Sequence, residues 1–236
     1  MTVLALDAST ARATVAVIRS GPIAEAGKVA QAGKIAQGGK VAQAGKVAQA
    51  GEVAQVGEVV AEVTVAERSE HVEPLLPAAL ALLASVSVRL SDLTAIVCAA
   101  GPGTFTGLRT AASIAKGLAM GLSIPLHAVP SLPLILADLP RGRYMAVLDA
   151  GRGDRFAALL DWPCAEAAGY ILAPAPQVAA LAAESHATLV GPETGVWPHA
   201  RGVIHLAWGP PVDLASWEPD YGRSSAAEDR RRGVTR

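Results

Sequence analysis

Two stretches of this sequence place residues where they would meet a ligand. The first is Gly101-Pro102-Gly103-Thr104-Phe105-Thr106-Gly107-Leu108-Arg109, which follows the apolar run Leu93 to Ala99. A glycine-rich turn between a strand and a helix start can aim backbone N–H groups at a phosphate. The spacing Gly101-x-Gly103-x-x-x-Gly107 is not the dinucleotide fingerprint, and it is not the P-loop, since no Lys-Ser/Thr follows the last glycine. A tight turn with close helix packing, capped by Thr104 or Thr106, accounts for the same glycines. The second stretch is Asp7 with Ala8-Ser9-Thr10, at the carboxyl end of the apolar run from Val3. Open α/β sheets place ligand groups at that end of a strand. An Asx-turn closing the corner on Ser9 or Thr10 is the structural alternative.

Other chemistry is sparsely represented. His71 is followed four residues later by Leu75, so the helical spacing that would let two histidines share a metal holds only one. The sequence has no Gly-x-Ser-x-Gly elbow and no cysteine with an evident histidine partner. Cys98 and Cys164 lie far apart and match no metal spacing. The expectation is no catalytic residue, no metal, and no disulfide-stapled secreted scaffold.

The elements that must position these residues follow from periodicity. The 236 residues are 51% hydrophobic and 17% charged, enough for one large domain or two small ones. Lys plus Arg number 20 against 21 Asp plus Glu, a net charge of -1, which gives no overall basic field for nucleic acid. Strands are expected at Val3 to Asp7, Thr14 to Ile18, Val63 to Ala66, Leu93 to Ala99, Pro125 to Val129, Tyr144 to Asp149, Arg155 to Asp161 and Ala187 to Val190. Helices are expected from about Ser69 through Leu83, from the glycine loop to about Leu122, over Ser131 to Asp138, and over Pro176 to Ser185. The uncharged run Gly117 to Ala137 is long enough for a bilayer but is broken by Pro125, Pro130 and Pro133. Met1 to Asp7 carries no basic leader, so a soluble cytoplasmic protein is expected. The order describes an α/β chain in two lobes: 1–130, then a smaller lobe over 131–222, then a basic tail over 223–236.

A hexapeptide array interrupts the first lobe over about 21–62. Gly27, Gly33, Gly39, Gly45, Gly51 and Gly57 recur every six residues in copies of Gly-Lys/Glu-Val/Ile-Ala-Gln-Ala. In a helix, six residues at ~100° each carry the valines round every side, and each glycine costs roughly 1 kcal/mol. In a strand, an even period keeps the valines on one face. Extended β-ribbon or coil and a poorly ordered loop both stand as readings. Lys28, Lys34, Lys40 and Lys46 read as a solvated face, with a nucleic-acid contact as the alternative.

Four motifs in order resemble the TsaB (YeaZ) family: Leu4 to Thr10, Ser69-Glu-His-Val-Glu-Pro-Leu-Leu76, Gly101 to Arg109, and Leu148-Asp-Ala-Gly-Arg-Gly-Asp154. The match covers Met1 to about Asp161 well and is looser beyond, with Trp217 to Tyr221 similar to the family's closing segment. The resemblance implies a two-lobed actin/Hsp70-like fold (ASKHA, ribonuclease H-like), with the array expanding the second-to-third strand connection. It implies a non-catalytic subunit that binds the catalytic relative TsaD and supports threonylcarbamoyl transfer to adenosine 37 of tRNAs reading codons that start with A. TsaE with ATP joins that pair, tRNA is reached through the complex, and pairing of the chain with itself stands open when TsaD is absent. An enzyme in its own right, a nucleotide-dependent transferase or a glycoprotease-like peptidase, is the alternative.

By the same resemblance the interface lies on the two long helices of the first lobe. Its expected residues are His71, Leu75, Leu76, Leu80, Leu108, Arg109, Ala111, Ala112, Ala115 and Ala119. Ala111, Ala115 and Ala119 form a row of small side chains that would let another helix approach. No cofactor is implied; a vestigial, weak nucleotide site would use Asp7, Ser9, Thr10, Gly101, Gly103 and Thr104.

Overall fold

The computed structural model describes residues 1–20, 57–65, 75–163 and 169–222. Its elements in chain order are β1 (Thr2–Asp7), β2 (Ala13–Ser20), β3 (Gly57–Val65), α1 (Leu75–Ser85), β4 (Ala95–Ala99), α2 (Phe105–Leu122), β5 (Leu126–Val129), β6 (Gly142–Gly151), β7 (Asp154–Trp162), β8 (Ile171–Pro174), α3 (Ala175–Glu184) and β9 (Thr188–Val190). Short 3-10 segments at Leu132–Leu136 and Ala200–His205 join them.

The strands form two sheets, ordered β3-β2-β1-β4-β5 and β8-β7-β6-β9. In the first, β1 pairs antiparallel with β2 and parallel with β4. In the second, β6 does the same with β7 and β9. Each sheet is thus an antiparallel meander extended by strands that return in parallel after a helix, two in the first sheet and one in the second.

Alternation along the strands decides what lies on each face. Val3, Ala5, Ala16, Ile18, Ala95 and Val97 point to one side of the first sheet, and Leu4, Leu6, Val15, Val17, Ile96 and Cys98 to the other. Both sides are buried, which is why these strands read as continuous apolar runs. The second set meets α1 and α2, through Leu75, Ala79, Leu82 and Leu83 on one helix and Ala111, Ala115 and Ala119 on the other. The first set meets the second sheet in a single buried cluster with Tyr144, Leu148, Phe156, Trp162 and Trp208, completed by both 3-10 segments. Trp208 stays satisfied there because its Nε1–H donates to the Val203 carbonyl at 2.8 Å. α3 covers the far side of the second sheet through Val178 and Ala182.

Several boundaries differ from the sequence reading. β3 runs from Gly57, so the last copy of the array is sheet, and 57–62 do not belong to the connection. Val59 and Val60 in that copy, with Val63 and Val65 after it, give β3 the β-branched content that favours a strand. Residues 21–56, which link Ser20 of β2 to Gly57 of β3, and 66–74, including His71 and the expected start of the first helix, lie outside the described residues. So do Cys164 and the tail from Arg223. The expected helix at Ser131 to Asp138 is a 3-10 segment, and β8 was not anticipated. The uncharged run Gly117 to Ala137 divides among α2, β5 and that 3-10 segment. Among the described residues no helix is long and apolar enough to cross a membrane.

Candidate functional site

The glycine loop is held against the corner that follows β1. Thr104 N–H donates to the Ser9 carbonyl at 2.8 Å, and Thr104 Oγ1 donates to the Ala8 carbonyl at 3.4 Å. Gly101 N–H donates to Ser131 Oγ at 3.1 Å. A Cβ at Gly103 would overlap Ser9, and one at Gly107 would overlap the Ala8 carbonyl oxygen. These glycines therefore serve close backbone packing, and Thr104 occupies the cap position of α2 without a side-chain cap bond.

Asp7 is fully buried beside them. Its Oδ1 accepts from Ser9 N–H at 3.2 Å, the Asx-turn geometry. Asp7 Oδ2 and Ser9 Oγ have no hydrogen-bond partner among the described residues. Burial pushes the Asp7 carboxyl up to about 6, against the pull of the Ser9 N–H and of His199. Thr10 turns away: its Oγ1 accepts from Arg12 N–H and donates to the Arg12 carbonyl. The structure thus brings Asp7, Ser9, Gly103 and Thr104 together, with Thr10 outside the group. Among the described residues no three His, Cys, Asp or Glu side chains gather as metal ligands.

The helix layer divides the expected interface residues between its inner and outer faces. Leu75, Leu108, Ala111, Ala112, Ala115 and Ala119 are buried within this chain and offer little or no surface to a partner. The small-residue row of α2 faces the chain's own sheet, and its short side chains let the helix settle closely there. Leu76 and Leu80 are the outward pair on α1, 36% and 41% exposed. Arg109 is exposed on α2. The sequence reading passed over Phe105 and Met120, 47% and 66% exposed at the two ends of α2. Their spacing in the stripe 105, 109, 113, 116, 120 follows the helical period and would have found them.

The closing segment Asp213 to Gly222 lies along this stripe. Tyr221 packs against Phe105 with the rings tilted by 41° and their centres 4.6 Å apart. Lys116 pairs with Glu218 at 3.4 Å and stands 5.6 Å from the centre of the Trp217 ring. Between segment and helix is an open groove of about 410 Å³, lined by Phe105, Arg109, Ser113, Lys116, Glu218 and Tyr221. The same segment reaches both sheets. Asp220 N–H donates to the Ala100 carbonyl at 2.7 Å, and Asp220 Oδ2 accepts from Tyr170 at 2.8 Å.

A two-sheet α/β chain with a helix layer of this kind has solved counterparts. A structure described as YeaZ from Pseudomonas aeruginosa superposes with a TM-score of 0.63 at 22% identity, covering 93% of this chain and 99% of that one. The family model described as TsaD, tRNA N6-adenosine threonylcarbamoyltransferase, matches residues 40–161, just over half of the chain. The chain belongs to the TsaD family and, within it, to the TsaB/YeaZ group. Two curated relatives are named tRNA threonylcarbamoyladenosine biosynthesis protein TsaB. The one from Bacillus subtilis is 35% identical over 44% of this chain and 46% of its own length. The one from Escherichia coli is 34% identical over 36% of this chain and 38% of its own length. The chain therefore spans less than half the length of these two relatives.

Proposed function

We propose that this chain is a non-catalytic partner subunit in tRNA threonylcarbamoyladenosine biosynthesis. In this reading it has an actin/Hsp70-like fold and binds a TsaD-type transferase through the helix layer of its first sheet. TsaD then acts on adenosine 37 of tRNA, and TsaE with ATP joins the pair. The observation that carries the reading is the outward apolar set Leu76 and Leu80 on α1 with Phe105 and Met120 on α2. Four large apolar side chains exposed on one helix layer mark a surface that gains from being covered. The glycine loop supports it as well, because the Gly101 and Thr104 N–H groups and the close contacts of Gly103 and Gly107 are taken up by the chain itself.

The test is co-purification with TsaD. Leu76→Glu with Leu80→Glu is expected to fold normally, because both side chains face solvent in the free chain. Recovery of TsaD should fall at least tenfold, with tRNA modification falling in parallel when the proteins are recombined. Unchanged recovery with the doubly charged chain would remove α1 from the interface.

A further inference from the structure

β3 is the last copy of a sequence that precedes it five times. Gly57-Glu58-Val59 follows Gly51-Glu52-Val53, Gly45-Lys46-Val47 and three earlier copies at intervals of six residues. Side chains alternate along a strand with period two, so a slip of six returns every residue to its original face. Register is ordinarily fixed by the apolar pattern and by the geometry of the turn. Here the pattern repeats, and 36 residues (21–56) join Ser20 to Gly57, far too many to dictate a tight turn. The backbone of β2 therefore has several partners within covalent reach.

The last copy departs from the repeat at Val60, Ala61 and Glu62, and only the last of these brings a charge to a position that is uncharged in every earlier copy. The sixth residue of each copy is Ala32, Gly38, Ala44, Ala50 or Val56, and in β3 it is Glu62. Glu62 lies opposite Ala16 of β2, and its side chain is only 8% exposed. It accepts from Arg201 N–H at 2.9 Å, pairs with the Arg201 guanidinium, and meets His199 Nδ1 at 3.1 Å. Asp138 holds the other side of the same guanidinium. A slip of six would set Val56 opposite Ala16, leaving Arg201 N–H and half of its guanidinium without an acceptor. The apolar packing changes as well: Ala54, Gln55 and Gly57 would take the places of the partly buried Val60, Ala61 and Val63, while Val53 and Val59 would take those of Val59 and Val65.

We infer that Glu62 is the register lock of β3: held by Arg201 and His199, it selects the native pairing with β2 from registers offset by six residues. The lock lets the preceding connection change length in units of six while the sheet stays as it is.

Disulfide trapping in the full chain, in a Cys164→Ser background, tests this. Arg19 and Glu58 are exposed register partners, so Arg19→Cys with Glu58→Cys reports the native pairing. Arg19→Cys with Glu52→Cys reports the slipped one. With Glu62 in place the native pair should cross-link and the slipped pair should stay at background. The decisive variant moves the glutamate by one copy, Val56→Glu with Glu62→Val. The ratio of slipped to native cross-linking should then rise at least tenfold. A relocated chain that keeps native cross-linking overturns the inference. A relocated chain that fails to fold overturns it too, because the moved carboxylate restores each Arg201 and His199 contact.

Discussion

Asp7 shows how burial decides the role of a single residue. Its place at the end of β1 is where an α/β sheet would present a carboxylate to a ligand, and that much was readable from Val3 to Asp7. The packing of Gly103 and Gly107 against Ser9 and Ala8 was not, because contacts between residues nearly a hundred positions apart leave no periodic trace. The consequence is a carboxyl whose affinity for its proton rises on folding, from 3.8 to about 6. Between those values the folded chain holds more protons than the unfolded one, so stability falls as pH climbs from about 4 to above 6. Asp7→Asn removes the penalty of burying the anion. It should stabilise the fold by about 1–3 kcal/mol at pH 7. The advantage should vanish near pH 4, as urea melts at the two pH values would show.

At the scale of the element, α2 illustrates why a helix face is ambiguous in sequence. The row Ala111, Ala115, Ala119 is suited equally to a partner helix and to the chain's own sheet, and only the fold assigns it to the sheet. Its opposite stripe, Phe105 to Met120, was overlooked because mixed Phe, Arg, Ser, Lys and Met carry no strong apolar signal. The two faces predict opposite outcomes. Ala115→Arg forces a charged side chain into a fully buried site and should cost more than ~3 kcal/mol or prevent folding. Met120→Glu sits in solvent and should leave the melting temperature within about 1 °C. Thermal melts of the two variants side by side check the assignment.

For the molecule as a whole, the strand-helix order disclosed an α/β chain, and β6 and β7 pair as a hairpin at the two expected strands Tyr144 to Asp149 and Arg155 to Asp161. What stayed hidden was the joining. β8 is only four residues ending in proline, and the 3-10 segment Ala200–His205 has no regular period, yet both complete the second sheet and its core. The closing segment was legible as a motif but not as a strap. It ties Ala100 beside the first sheet to Tyr170 beside the second, and covers one flank of α2. A chain ending at Val212 should therefore melt about 4–8 °C lower, with faster amide exchange in α2. One ending at Gly222 should melt with the full-length protein. Calorimetry on the two truncations separates the strap from the residues beyond it.

The buried cluster shared by both sheets bears on how this chain can move. Trp162, Trp208 and Phe156 sit sealed where a clamshell protein would keep a wet hinge line. Parting the halves would flood those rings, and a well-packed interior resists that as it resists unfolding. The shared packing of the two sheets predicts that they keep a constant relation in any assembly that contains them.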